Sequence, residues 1–300
     1  MSAIRLERLT KFYGKARGVV DVDLEVHEGE VFGFLGPNGA GKTTTIRTLL
    51  DLIRPSRGTA TVLGLDSVAS SLEIRRRVGY LPGELALWDW MTGRQVLEHL
   101  SRLRGGVNES YRDDLIERFE VEADRKVGDL STGNKQKIGL VQAFMHKPEL
   151  LILDEPTSGL DPLMQQVAYE VIDEAHHDGR TVFLSSHVLP EVERIAKRVG
   201  IIRHGRVIEV ASVDSLKERA VRLMEIRFGW PVPSADFLSN IAGVAEVTMS
   251  GDAATLKIEG SMDPLVKALG DYEVLHLRTH DTPLEEIFLQ LYRDGAGHED

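Results

Sequence analysis

From Val20 to Val26 apolar and acidic side chains alternate, with Val20, Val22, Leu24 and Val26 set against Asp21, Asp23 and Glu25. A period of two is that of a strand with one buried face, the antiparallel kind. The runs "LLILD" (150–154) and "TVFLSS" (181–186) have almost no polar interruption, as expected of parallel strands covered on both faces. Helical periodicity fills "PLMQQVAYEVIDEAHHDG" (162–179) and "VLPEVERIAKRV" (188–199) between and after them. Alternating strands and helices predict an α/β core with a parallel sheet.

Residues from about 92 to 147 carry no strand pattern. "TGRQVLEHLSRLRG" sets Val96, Leu97, Leu100 and Leu103 on one helical face, and "ESYRDDLIERFE" and "NKQKIGLVQAFMHK" supply two further helices. This stretch reads as a helical insert in the α/β domain. "VGIIRHGRVIEVA" predicts a hairpin turning at His204-Gly205. Past residue 220 the pattern changes to strand "RLMEIRF", helix "SADFLSNIAG", two strands in "AEVTMSGDAATLKIEG", helix "MDPLVKALG" and strand "YEVLHLRTH", closed by helix "PLEEIFLQLY" (283–292). That order is the split βαβ of a ferredoxin-like α+β domain. The expected organisation is therefore one domain over residues 1–220 and a second over 221–300.

Between the apolar run "VFGF" and the helical pattern of Ile46, Leu49, Leu50 and Ile53 stands "GPNGAGKTT", residues 36–44. Gly36, Gly41, Lys42 and Thr43 fit the phosphate-binding spacing G-x-x-x-x-G-K-[ST], and strand-loop-helix is the setting that motif requires. Backbone N–H groups of Gly36, Pro37 to Ala40 and Gly41, so far as each residue has one, would wrap a polyphosphate at a helix N-terminus. Lys42 would reach its β- and γ-phosphates, the Thr43 hydroxyl would face Mg²⁺, and Thr44 would border the same loop. Asp154 ends the run "LLILD", which puts a carboxylate at the C-terminal edge of a strand where α/β proteins bind ligands. Glu155 follows it and is the candidate general base; "DEP" by itself would be only the start of a turn.

The bulk numbers narrow the class. A net charge of -11 argues against a protein that coats nucleic acid, and the absence of cysteine excludes disulfides, thiolate catalysis and Cys-ligated zinc. No apolar run reaches the roughly 18 residues that span a bilayer, and "MSAIRLERLTKF" lacks the apolar core of a signal peptide. The expectation is a soluble, cytoplasmic chain.

Taken in order, "GPNGAGKTT", "LSTGNKQK", "LLILDEP", "SGLDP" and "SSH" resemble the ATP-binding subunit of an ABC transporter over roughly residues 1–220. The resemblance implies a P-loop NTPase fold with an N-terminal antiparallel β subdomain, and ATP and Mg²⁺ as cofactors. It implies that Tyr13 stacks on adenine, where a core aromatic is the plainer reading. Ser131, Thr132, Gly133 and Asn134 match the signature segment that contacts ATP held by a partner subunit; without the resemblance they are a helix cap. Asp161 matches the aspartate that links the two sites of a dimer, and it also suits a helix cap before Pro162. His187 resembles the histidine that hydrogen-bonds the γ-phosphate.

Two departures stand out. Gly83 occupies the position after "VGYLP" where the family usually has glutamine, with Glu84 next to it, and Thr132 and Asn134 replace the commoner glycine and glutamine of the signature. The short variants and the appended domain are most like type-two exporters of the drug-resistance kind. The implied function is ATP-driven export through separate transmembrane permease subunits, by a homodimer at the cytoplasmic face of the membrane with no role for nucleic acid. The alternatives are a soluble mechanical ATPase of the same class and a non-hydrolysing regulatory subunit, the latter prompted by Gly83. In the second domain His276, His280 and His298 are too scattered for a metal site.

Overall fold

A computed structural model describes residues 1–218 and 222–280. Its packing divides the chain into two compact units, Met1–Ala211 and Ser212–Asp300.

In the first unit β1 (Ser2–Tyr13) and β2 (Ala16–His27) form an antiparallel hairpin, and β3 (Val31–Leu35) leads through the glycine-rich loop into α1 (Lys42–Leu49). Next come β4 (Arg57–Val62), β5 (Leu65–Asp66), α2 (Ser71–Arg77) and β6 (Val78–Leu81). Three helices follow, α3 (Gly93–Leu103), α4 (Glu109–Arg118) and α5 (Thr132–Phe144), with no named strand among them. The chain then alternates through β7 (Leu150–Asp154), α6 (Pro162–His177), β8 (Thr181–Ser186), α7 (Leu189–Ile195), β9 (Arg198–Arg203) and β10 (Arg206–Ser212).

Two sheets result, ordered β2-β1-β4-β5 and β10-β9-β3-β8-β7-β6. In the second, β3 pairs in parallel with β8 and β9, and β7 with β6 and β8. The core fills between them: Ile4, Leu6, Val22 and Leu24 from one side meet Phe32, Phe34, Ile152 and Phe183 from the other. All five residues of β7 and all six of β8 are buried, which accounts for their unbroken apolar runs. Full burial of each such side chain stabilises the fold by about 1.5–3 kcal/mol, so these two strands, whose C-terminal ends carry Asp154 and Ser185, are among the best anchored in the chain.

Three sequence readings are corrected here. The helical pattern over 188–199 ends at Ile195, because Arg198 already pairs with Phe32 in the parallel sheet. Ile53 lies beyond the end of α1 at Leu49. Leu103 is 70% exposed rather than on the buried face of α3, where Val96, Leu97 and Ser101 sit.

The second unit contains α8 (Val213–Glu218), β11 (Arg222–Phe228), α9 (Ala235–Ser239), β12 (Val244–Ser250), β13 (Ala253–Ile258), α10 (Asp263–Ala268) and β14 (Val274–His280). Its sheet runs β12-β13-β11-β14 and is antiparallel throughout, the ferredoxin-like order. Met224, Ile226 and Phe228 alternate inward to pack with Leu238, Leu256 and Leu265. The closing helix read over 283–292, and His298, lie outside the described residues.

Candidate functional site

Gly36 to Gly41 join the C-terminal end of β3 to α1, and the loop is tied down at both ends. Gly36 N donates to Ser186 O at 3.2 Å, and Gly205 N to Ala40 O at 2.8 Å. Gly41 caps α1 at φ 116°, a left-handed conformation that glycine adopts without steric cost, and no side chain caps the helix. The first-turn N–H groups are thus left to face a ligand.

Lys42 is 5% exposed, and a cation so withdrawn from water must be paired. Its Nζ donates to Gly36 O at 2.6 Å and Pro37 O at 3.3 Å, and lies 3.1 Å from Glu155 Oε1 in a close ion pair whose geometry is not that of an aligned hydrogen bond. The second oxygen of Glu155 is 2.8 Å from His187 Nδ1. Glu155 itself stands at φ 52°, an uncommon conformation for a non-glycine residue, of the kind retained where the surroundings over-determine it. Those surroundings include Ser185 O, which accepts from Glu155 N at 3.2 Å, and Gln136 Nε2, which donates to Glu155 O and Pro156 O at 3.1 Å each.

Asp154 has no exposed surface. Thr43 Oγ1 donates to its Oδ2 at 2.7 Å, and Ser185 Oγ donates to its Oδ1. A buried carboxylate with a hydroxyl beside it is the hard oxygen set that suits Mg²⁺, which usually takes one or two carboxylates and completes its shell from phosphate and water. No cluster of three or more metal-binding side chains occurs among the described residues. Beside this carboxylate, burial and then the Asp154 charge push the Tyr80 phenol up to about 12.

Tyr13, Pro37, Asn38, Gly39, Thr44 and Glu84, with Gly41 to Thr43, Arg17, Arg47, Gly83, Asp154 and Glu155, line a cavity of about 320 Å³. That is within the range of small-molecule sites. Tyr13 is 46% exposed at the end of β1, so it is no core aromatic, and its hydroxyl is 3.5 Å from Thr44 Oγ1. A larger depression of about 930 Å³ lies where Arg5, Arg8 and Arg57 alternate with Asp21, Asp23 and Glu25. Its charges oppose one another and no motif residue reaches it, so the smaller cavity is the candidate site.

The signature residues and Asp161 do not line that cavity. Ser131 caps α5 by accepting from Asn134 N at 3.2 Å, Asn134 bonds Glu122 through both ends of its amide, and Gly133 lies against Gly159 O, where a Cβ would come within 2.6 Å. Asp161 caps α6, accepting from Leu163 N and Met164 N at 3.0 Å each. Sequence reasoning overlooked Ser185, Gln136, Arg17 and Arg47. Ser185 alone left a local sign, since it precedes His187 by two in the same short segment.

A second cavity, of about 300 Å³, adjoins the same stretch of chain. Pro82, Leu85, Leu87 and Trp88 line it with Leu52 and Leu100, and Arg75 and Arg104 stand in its wall. Residues 82–88 therefore border both cavities, through Gly83 and Glu84 on one side and their neighbours on the other.

Residues 19–158 match the family described as ABC transporter. The bacitracin transport ATP-binding protein BcrA of Enterococcus faecalis is 38% identical, over 98% of this chain and 97% of that protein. The daunorubicin/doxorubicin resistance ATP-binding protein DrrA of Streptomyces peucetius is 31% identical over 96% and 92%. Among solved structures an ATP binding subunit of an ABC transporter superposes with a TM-score of 0.66 at 30% identity, over 72% of this chain and 92% of that one.

Proposed function

Because this chain belongs to the ABC transporter family of ATP-binding subunits, we propose that its cavity binds Mg²⁺-ATP and that hydrolysis there is carried by Lys42, Asp154, Glu155 and His187. The protein is an ATPase whose work is transport, and it powers export through separate permease subunits. No helix of the described residues is long and apolar enough to cross a membrane. In this reading the chain is held at the cytoplasmic face by its permease.

The observation that carries the reading is the linkage of Lys42 to Glu155 to His187 beside the Thr43–Asp154 pair. Loop amides and Lys42 hold the β- and γ-phosphates, and Tyr13 offers its ring to the adenine. Asp154 and Thr43 would hold Mg²⁺, which when bound offsets phosphate charge and fixes phosphate geometry. Glu155 accepts a proton from water as the water oxygen bonds to the γ-phosphorus. The bond to the bridging oxygen breaks, leaving ADP and phosphate, while His187 steadies Glu155 and faces the γ-phosphate.

Ser131 to Asn134 and Asp161 lie outside the cavity of their own chain, which favours their action on a site in a second copy. Two chains closing around two ATP molecules would then complete both sites. ATP drives this closure only in so far as it binds the closed state more tightly. The permease takes the second cavity, seating an apolar segment against Leu52, Leu87 and Trp88, so that residues 82–88 transmit closure. By likeness to BcrA and DrrA the cargo is a drug-like compound. Calorimetry tests the core of the reading: the purified chain should take up ATP in the presence of Mg²⁺, and absence of any uptake by folded protein would remove it.

A further inference from the structure

Glu155 is the first residue past β7, and its backbone is fixed from three directions. Its N–H donates to Ser185 O at 3.2 Å, its carbonyl accepts from Ser158 N at 3.2 Å, and Gln136 Nε2 donates to that carbonyl and to Pro156 O at 3.1 Å each. The first contact comes from the neighbouring strand β8 and the second from the turn itself. The third reaches in from a separate helix, α5. Gln136 is 6% exposed, so its amide is shielded from water, and the two hydrogens of its NH₂ group serve two consecutive carbonyls.

That clamp holds a backbone that would not stay in place by itself. At φ 52° Glu155 has a conformation that residues other than glycine adopt rarely, and the proline after it favours extended backbone instead. Neither residue type nor neighbour accounts for this conformation, so the contacts around it do. The carboxyl oxygens lie four bonds out from Cα, and a backbone rotation of about 15°, the ordinary scatter of these angles, would carry them about 1 Å. A misplacement of about 1 Å can cost about 10²-fold in rate. The contacts of Glu155 with Lys42 Nζ at 3.1 Å and His187 Nδ1 at 2.8 Å leave no room for such a shift.

Resting on the reading of Glu155 as the base, we infer that Gln136 is its positioning residue: from α5 the amide holds the Glu155–Pro156 backbone so that the carboxylate stays in line with the attacking water, while Gln136 itself touches no reacting atom. It does not line the nucleotide cavity, so its effect falls on the chemical step and not on nucleotide affinity. The same end of α5 meets the turn a second time, where Gly133 lies so close to Gly159 O that a Cβ would come within 2.6 Å. The opening turns of α5 and the turn that bears the base are thus joined at two points.

The test is a double-mutant cycle of Gln136→Met, which keeps the length of the side chain and removes both donors, with Glu155→Gln. Phosphate release by the assembled transporter gives kcat, and calorimetry on the full chain gives the Mg²⁺-ATP affinity. Gln136→Met should lower kcat about tenfold or more with affinity within about twofold of wild type. In the Glu155→Gln background, where no base is left to position, the same change should alter the residual turnover by less than about twofold. An equal loss in both backgrounds, or a kcat within about twofold of wild type for the single variant, overturns the inference. Gln136→Asn keeps an amide that ends one carbon short of the carbonyls, and it takes the place of Gln136→Met in the cycle if the latter does not melt cooperatively. Should neither variant fold, Gln136 belongs to the fold alone and the inference fails. If Glu155→Gln by itself turns over like wild type, the base reading fails and the inference with it.

Discussion

His187 Nδ1 lies 2.8 Å from Glu155 Oε2, a contact that joins the residue after β8 to the residue after β7. The same carboxylate meets Lys42 with its other oxygen, so one side chain connects the phosphate loop to both strand ends. Glu155→Gln keeps the size and hydrogen-bonding capacity of this side chain but cannot take a proton from water. Expected is retained Mg²⁺-ATP binding with turnover lowered by about 10²–10⁴-fold, read as phosphate release by the assembled transporter. Turnover within a few-fold of wild type would take the base role from Glu155.

Lys42→Met removes the charge that faces the phosphates while keeping an unbranched side chain in a space that is almost closed to water. A charge-assisted hydrogen bond is worth about 1.5–3 kcal/mol, so ATP affinity should fall at least tenfold. Glu155 retains His187 as a partner, and the apo chain should still unfold cooperatively in a thermal melt. Undiminished affinity would mean that Lys42 only pins the loop through Gly36 O.

How much of this was legible in sequence follows from what each feature depends on. The alternation at Val20–Val26 and the apolar runs of β7 and β8 are local consequences of burial, so the strands and the carboxylate at the end of β7 could be placed from residues alone. The loop's chemistry was equally local. The tie from Gln136 to the carbonyls of Glu155 and Pro156, and the close approach of Gly83 to Asp154, join residues far apart in the chain and leave no periodic trace. The early end of α7 is a case of tertiary override: "AKRV" suits a helix, but Arg198 gains more as a rung beside Phe32 and an ion pair with Glu30 at 2.9 Å. Tyr13 was placed at the site through resemblance, because nothing in "KFYG" says that β1 ends beside Thr44.

Acid should weaken the fold through His146. Burial, and then the guanidinium of Arg104, push its imidazole down to about 4 from an ordinary 6.5; the carbonyl of Val78 opposes them less strongly, and Arg180 adds a still weaker downward push. The folded chain thus keeps this ring neutral while the unfolded chain protonates it. Between the two values the unfolded state binds more protons, so stability is full above about pH 6.5 and falls on acidification towards 4, at up to about 1.4 kcal/mol per pH unit. Glu149 and Glu174, held low by their hydrogen bonds to Arg77 and Arg118, act in the same direction at lower pH. Urea melts at pH 7, 5.5 and 4.5 should show His146→Gln losing less stability than wild type across that interval. Parallel curves would leave the acid sensitivity to the carboxylates.

The second cavity should decide assembly with the permease without deciding nucleotide affinity. Leu52 lines it just beyond α1 and is 49% exposed, so a polar residue there leaves the core intact. A carboxylate at that point, facing Leu87, Trp88 and Leu100, would have to be desolvated for an apolar segment to seat, at a cost well above the roughly 1.5–3 kcal/mol gained by burying one leucine. Arg75 and Arg104 stand in the same wall and would draw the new carboxylate inward, narrowing the opening further. Leu52→Asp is therefore expected to bind Mg²⁺-ATP within about twofold of wild type and to lose the integral membrane protein that co-purifies from detergent extracts of membranes. The two cavities have no lining residue in common, so affinity and assembly are expected to separate. Recovery of the permease in wild-type ratio with the variant would place the docking surface elsewhere on the chain.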